Sequence, residues 1–314
     1  MSPTKSKNPL AELSASLADA VETASKSIVA IHARRRIPSS GVVWRDGIIV
    51  SASHTVRTDG DVAVTLPSGD SARATIVGRD SATDLVALRL NGASATVASR
   101  ADADAARVGS MVLAVGRPGR KVSASFGIIS AIADDWRGVA GGRIDRVMRL
   151  DLSIYDGFSG GPLVDAGGAV IGIDNSALAR GTPTALPAAT VDRVVDELLQ
   201  RGHIRRPFIG VAVQQVALNA TTVARHKLSR DGGLVVVSIA DGSPAESAGI
   251  LIGDVLLSAG GHPLRRPTDL LDALTTVPDG GSLELEHLRG DSITRSKVTP
   301  IDRGARSASE EDDR

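Results

Sequence analysis

Between Ile28 and about Ser176 the chain runs in short apolar stretches of Val, Ile, Leu and Ala, broken by Gly, Asp, Ser or Pro every eight to twelve residues. Stretches of that length with turn formers between them predict strands, and their regular recurrence predicts an all-β barrel or sandwich. Ahead of them, Asn8 can cap and Pro9 can open a helix on which Leu10, Leu13, Leu17 and Val21 share one face. Its polar face is not markedly basic, which favours packing on its own domain over a membrane-surface or partner role. A second helix is expected from Thr190 as its cap, with Val191, Val194, Val195, Leu198 and Leu199 as the apolar stripe and Gly202 just past its end. After Arg205-Arg206-Pro207 the rhythm restarts, with strands expected at 208–213 and 234–239, a helix near 267–276 and a final hairpin. The segment from Arg303 is nearly all polar, cannot repay the entropy of ordering, and is expected to be disordered. The pattern thus divides the chain into an N-terminal amphipathic segment (1–26), a β-rich domain (27–202), a second domain (203–302) and a tail (303–314).

Length and charge agree with more than one core. At 314 residues the chain exceeds a typical single domain, and 36 basic against 36 acidic residues create no global field to attract nucleic acid. No stretch of about 18 apolar residues occurs, so no transmembrane helix is expected. Residues 1–36 lack an apolar run like a signal-peptide core, with Glu12, Asp19 and Glu22 interrupting the best candidate, and a cytoplasmic location is the resulting expectation. With no cysteine, disulfides, thiolate metal sites and thiol nucleophiles are excluded, while the compartment stays open on that count. There is no Gly-Lys dipeptide for a phosphate loop and no His-Glu-x-x-His zinc signature, so neither cofactor nor metal is expected. His203, His226, His262 and His287 stand in turns or polar settings and read as solvated.

A nucleophile must then be sought among the hydroxyls. Gly157-Phe158-Ser159-Gly160-Gly161-Pro162 places a serine where glycine two residues earlier can turn backbone N–H groups toward one point, as acyl transfer requires. A serine needs a base, and the base needs a carboxylate to fix its tautomer. Of the two histidines that precede Ser159, His32 ends a strand, whereas His54 follows the apolar run Gly47–Ala52 and would be presented at a barrel rim. Asp84 heads the apolar run Leu85–Leu90, where a carboxylate needs a partner such as an imidazole N–H.

Ser53-His54-Thr55-Val56, Thr83-Asp84-Leu85-Val86-Ala87-Leu88 and Gly157-Phe158-Ser159-Gly160-Gly161-Pro162-Leu163-Val164 together resemble the HtrA/Deg trypsin-like serine proteases, and the order His, Asp, Ser is also theirs. Ser40-Gly41-Val42-Val43, Ser125-Phe126-Gly127-Ile128-Ile129-Ser130 and Val170-Ile171-Gly172-Ile173 extend the likeness, which covers roughly residues 20–300. The resemblance implies a mainly β fold: a chymotrypsin-like double β-barrel with His54 and Asp84 in the first six-stranded barrel and Ser159 in the second, followed by an α+β PDZ domain. It implies that His54, Asp84 and Ser159 form a triad, that the N–H groups of Gly157 and Ser159 form an oxyanion hole, and that Ser153, Thr182, Pro183 and Thr184 line the specificity pocket. With no charge at Ser153, a small or medium apolar side chain is the implied preference.

Three positions depart from the family. Phe158 stands where asparagine is usual, and Asp156 replaces a usual proline. Pro183, unusual in the pocket strand, offers no N–H to a substrate. The leading expectation is an endopeptidase acting on misfolded or partner proteins; the alternative is a weak or inactive protease-derived binding or holdase protein. In the second domain, Phe208-Ile209-Gly210-Val211 and Gly242-Ser243-Pro244-Ala245 through Leu256 resemble a PDZ domain, implying that Phe208–Val211 and Leu271 take a peptide C-terminus, assisted electrostatically by Arg205 and Arg206. A homotrimer is implied by the family, although no aromatic residue precedes Trp44 to build the usual contact.

Overall fold

The computed structural model describes residues 8–34, 36–58, 60–101, 106–137, 143–179, 182–228 and 231–303. The tail beyond Arg303 and residues 1–7 of the N-terminal segment lie outside them. Two compact units divide the chain, Met1–Ile204 and Arg205–Arg314.

The first unit opens with α1 (Pro9–Ser25), whose cap Asn8 accepts from the Leu10 and Ala11 N–H groups. Six strands follow: β1 (Ile28–His32), β2 (Ser39–Arg45), β3 (Ile48–Ala52), β4 (Val62–Thr65), β5 (Ser71–Asp80) and β6 (Leu85–Asn91). They close a barrel in the order β1-β2-β3-β6-β5-β4. The next six, β7 (Met111–Gly116), β8 (Ser123–Arg137), β9 (Arg143–Asp151), β10 (Pro162–Val164), β11 (Val170–Asn175) and β12 (Thr184–Pro187), close a second barrel in the order β10-β11-β12-β9-β8-β7. Closure leaves neither sheet an open edge.

Each barrel fills with its own side chains. Val29, Ile31, Val43, Ile49, Val86 and Leu88 pack in the first, and Ile129, Met148, Leu150, Leu163 and Ile171 in the second. A third cluster joins the barrels to each other and to the helices: Trp44, Val50, Leu85, Val115, Ile173, Val191 and Leu198, with Ala20 and Ala24 of α1. This shared layer fixes the two barrels against each other. Two close approaches demand glycine: a Cβ at Gly41 would lie 2.6 Å from Ile31 Cδ1 on the neighbouring strand, and one at Gly78 would lie 2.0 Å from the carbonyl oxygen of Gly202.

Helix α2 (Ala188–Arg201) starts two residues before the expected cap. Pro187, with φ −59°, ends β12 and serves directly as N-cap, so Thr190 falls inside the first turn and is buried. Gly202 closes the helix in the left-handed region, φ 78°.

The second unit contains β13 (Pro207–Phe208), β14 (Val211–Ala217), α3 (Ala220–His226), β15 (Gly232–Ile239), α4 (Pro244–Ser247), β16 (Val255–Ala259), β17 (His262–Pro263), α5 (Pro267–Thr275), β18 (Leu283–Arg289), β19 (Ser292–Val298) and β20 (Ile301–Asp302). Strands β14-β15-β16-β18-β19 form the main sheet, with β17 paired to β16, while β13 pairs with β20. Leu234, Val236, Leu256, Leu270, Leu274 and Leu285 make its core. One histidine departs from expectation: His287 is fully buried, because the alternation Leu283, Leu285, His287 turns it to the inner face of β18.

Candidate active site

Strand β3 ends in a single 3-10 turn, Ser53–Thr55, which carries His54 off the barrel rim. The Ser53 N–H donates to the Asp84 carbonyl at 2.8 Å, so the turn is stitched to the start of β6. Asp84 adopts φ 55°, a region that Asp and Asn enter more readily than most side chains. In that conformation its carboxylate reaches His54 twice, accepting the backbone N–H at 2.7 Å on Oδ1 and meeting Nδ1 at 2.5 Å on Oδ2. A donor on Nδ1 leaves Nε2 as the basic nitrogen of the ring.

A third donor comes from the second barrel. Asn175, at the end of β11, gives its Nδ2 to Asp84 Oδ2 at 2.8 Å. Its orientation is forced, since Oδ1 accepts the N–H groups of Ala177 and Leu178 at 2.8 and 3.1 Å. Asn175 was not singled out in the sequence, because its partner lies 91 positions away.

Ser159 is 6% exposed, at the head of a loop whose hydrogen bonds alternate. Phe158 N–H donates to the Tyr155 carbonyl at 2.9 Å and Gly160 N–H to the Asp174 carbonyl at 2.9 Å. The N–H groups on either side of Phe158, those of Gly157 and Ser159, donate to no group among the described residues. Two free donors flanking a bonded one is the arrangement an oxyanion requires. Gly157 has φ 85°, and a Cβ there would sit 2.6 Å from the Pro38 carbonyl oxygen, so both conformation and space exclude a side chain. Phe158 is buried, edge-on to Tyr155 at 5.4 Å between centroids. Its ring fills the space beside Gly116, where a Cβ would lie 2.6 Å from it. The unusual aromatic is therefore a plug under the loop.

The Ser159 hydroxyl is hydrogen-bonded to Ser176 Oγ at 2.8 Å, not to His54. Of the residues expected to line a pocket, Ser153 is exposed and its N–H donates to Ser125 Oγ at 3.1 Å, while Thr182 and Pro183 are half-buried. The Pro183 carbonyl accepts from Leu150 N–H at 3.0 Å, and Thr184 is buried with Oγ1 donating to the Asn175 carbonyl at 2.8 Å. Thr184 thus braces the strand end that carries Asn175.

In the second unit, Gly210 has φ 87° and would place a Cβ 2.2 Å from Ser243 Cβ. The carbonyls of Ile209 and Gly210 accept from Ala245 and Ala240 at 2.9 and 2.8 Å, while the N–H groups of the same two residues donate to nothing among the described residues. Ile209 is buried, Phe208 and Val211 are half-buried, and Leu271 is exposed on α5. Arg205 is engaged by Asp279 at 2.7 Å and by the Val277 carbonyl, so its guanidinium is committed within the unit.

Comparisons with known proteins follow this division. A trypsin-like peptidase domain model matches residues 39–173, and a PDZ domain model matches residues 207–299. A probable periplasmic serine endoprotease, DegP-like, of Brucella suis is 33% identical over 296 residues, covering 90% of this chain and 56% of that protein. Its counterpart in Rhizobium meliloti is 34% identical over 260 residues, covering 80% and 51%. The crystal structure of the serine endoprotease from Yersinia pestis superposes with a TM-score of 0.73 at 25% identity, covering 96% of this chain and all of that one. The chain belongs to the HtrA/Deg family of trypsin-like proteins with a PDZ domain.

HtrA/Deg membership corrects one expectation. Both relatives are named periplasmic, which overturns the cytoplasmic location inferred from residues 1–36. The inference failed because location is set by targeting, of which a folded catalytic domain carries no imprint, and the cysteine-free composition never discriminated. The chain spans about half the length of the curated HtrA/Deg relatives it matches. No helix among the described residues is long and apolar enough to cross a membrane.

Proposed function

We propose that this chain is a serine endopeptidase in which Ser159 attacks a peptide carbonyl, His54 accepts its proton, Asp84 orients the imidazole, and the Gly157 and Ser159 N–H groups hold the oxyanion. The observation that carries the reading is the joint one: an Asp84 carboxylate that meets His54 twice, beside a buried serine loop with two unused N–H donors. In the first step Ser159 leaves Ser176 and gives its proton to His54 Nε2 as its oxygen bonds to carbon. His54 then returns that proton to the leaving amine, and water repeats the sequence to release the acyl group. Asn175 keeps the Asp84 carboxylate from rotating away during the exchange.

The domain assignment is part of the same proposal: 1–26 as an accessory segment, 27–202 as the peptidase, 203–302 as the PDZ domain. The substrates are misfolded or partner proteins in the periplasm. Their C-termini bind the free N–H groups of Ile209 and Gly210, between Phe208–Val211 and Leu271. Ser153, Thr182, Pro183 and Thr184 border the pocket for a small or medium apolar residue, and assembly is as a trimer, which light scattering tests directly.

Fluorophosphonate labelling with casein cleavage tests the chemistry. The wild-type protein should label and cleave, and Ser159→Ala should do neither while keeping its fold. Absence of label in folded wild-type protein, with candidate peptide ligands present, sinks the proposal.

A further inference from the structure

Ser40 lies on β2 of the first barrel, 117 positions before the residue it holds, and is fully buried. Its Oγ is 2.6 Å from the Gly157 carbonyl oxygen and 2.8 Å from the Arg117 backbone nitrogen. A hydroxyl has one proton, and Arg117 N–H can only donate, so the Ser40 proton points at Gly157. The residue is itself fixed, its carbonyl accepting the Ser51 hydroxyl at 2.7 Å.

The peptide unit between Gly157 and Phe158 is therefore pinned at both ends: its carbonyl by Ser40, its N–H by the Tyr155 carbonyl at 2.9 Å. That unit lies between the two free N–H groups. Turning it over would cost both bonds, in a place where Ser40, Gly157 and Phe158 are all buried. Gly157 supplies the freedom to adopt the conformation but nothing to hold it, since glycine at φ 85° can leave as easily as it arrives.

We propose that Ser40 is a positioning residue for the reaction: from the barrel that carries His54, it holds the oxyanion-binding loop of the other barrel in its competent form. The inference rests on the peptidase reading for its catalytic consequence and on geometry alone for its structural one.

The test compares wild type, Ser40→Ala and Ser40→Cys, the last keeping a weak donor of similar size. Losing the donor to a buried carbonyl should slow fluorophosphonate labelling and kcat on the order of ten- to hundred-fold, with KM within about two-fold. Ser40→Cys should recover part of the loss. A peptide boronate, which places a negative oxygen in the oxyanion site, should lose affinity in parallel. Hydrogen exchange across residues 155–161 should quicken in Ser40→Ala regardless of activity. Exchange that stays unchanged, or a lowered melting temperature with kcat intact, overturns the anchor. A wild-type protein that takes no label while Ser40→Ala still loosens this segment overturns the peptidase reading and leaves the anchor standing.

Discussion

Two buried aspartates in this chain show opposite solutions to one problem. Asp174, on β11 beside the nucleophile loop, is fully buried and neither carboxyl oxygen has a partner among the described residues. The segments flanking it, 157–164 and 184–187, contain no ionisable residue. Burial alone pushes its carboxyl well above the usual carboxylate range. Asp254 in the second unit is 2% exposed, yet it lies below that range. Burial opposes its charge, but Arg289 bonds both oxygens at 2.8 and 2.7 Å and adds favourable charge, and Leu251 N–H adds a bond at 2.8 Å. Depth therefore does not set the charge state of a carboxyl here; the supply of donors does.

The two carboxyls should consequently contribute to stability with opposite dependence on pH. Asp174, with its native value raised, favours the fold fully below the ordinary carboxylate range and loses that contribution as pH rises toward the raised value. Asp254, with its native value lowered, contributes above the ordinary range and loses it as pH falls through the lowered value.

Breaking the paired case gives the largest effect. Arg289→Ala leaves Asp254 buried with one backbone donor and should cost the second unit about 2–3 kcal/mol at neutral pH, read from its urea midpoint. If the midpoint does not move, donors do not explain the difference between the two acids. Removing the unpaired case comes next. Asp174→Asn should abolish a decline of up to about 1.4 kcal/mol per pH unit in the first unit's stability above the ordinary carboxylate range. A wild-type profile already flat there would show that Asp174 titrates normally.

The smallest effect concerns His287, fully buried, with Nε2 3.1 Å from Ser296 Oγ. Burial lowers its imidazole and nearby Arg289 adds to this, against the pull of Asp254. The fold therefore holds it neutral and loses stability as pH drops below the ordinary imidazole range. His287→Gln should soften the acid limb of the second unit by less than about 1 kcal/mol. A larger change would make His287, not Asp254, the main acid sensor.

Much of the fold was written in local pattern. Strand runs and turn residues announced the barrels, and two of the motif segments carry His54 and Asp84, which the structure joins. What escaped was non-local or conditional. Ser40 and Asn175 act on residues 117 and 91 positions distant, and no periodicity encodes such a pairing. His287 could have been found, since it occupies the inner phase of the alternation in β18; its polarity concealed it. Asp174 carried a similar signal as an acid near the end of the apolar run Val170–Asn175. Phe158 looked like damage to the loop because a sequence shows the substituted residue without the glycine-lined space at Gly116 that accepts it. Thr190 was misjudged as a cap because Pro187 can end a strand and begin a helix in one step.

The short ladder of β13 with β20, Pro207 opposite Asp302 and Phe208 opposite Ile301, brings the first and last strands of the second unit side by side. A unit whose ends meet is a cassette. It can be excised, replaced or duplicated at one junction without re-threading the chain, and its sheet needs no residue from outside to close. Gene fusion and tandem copying at that junction would leave both barrels closed, so the two units are free to diversify at separate rates.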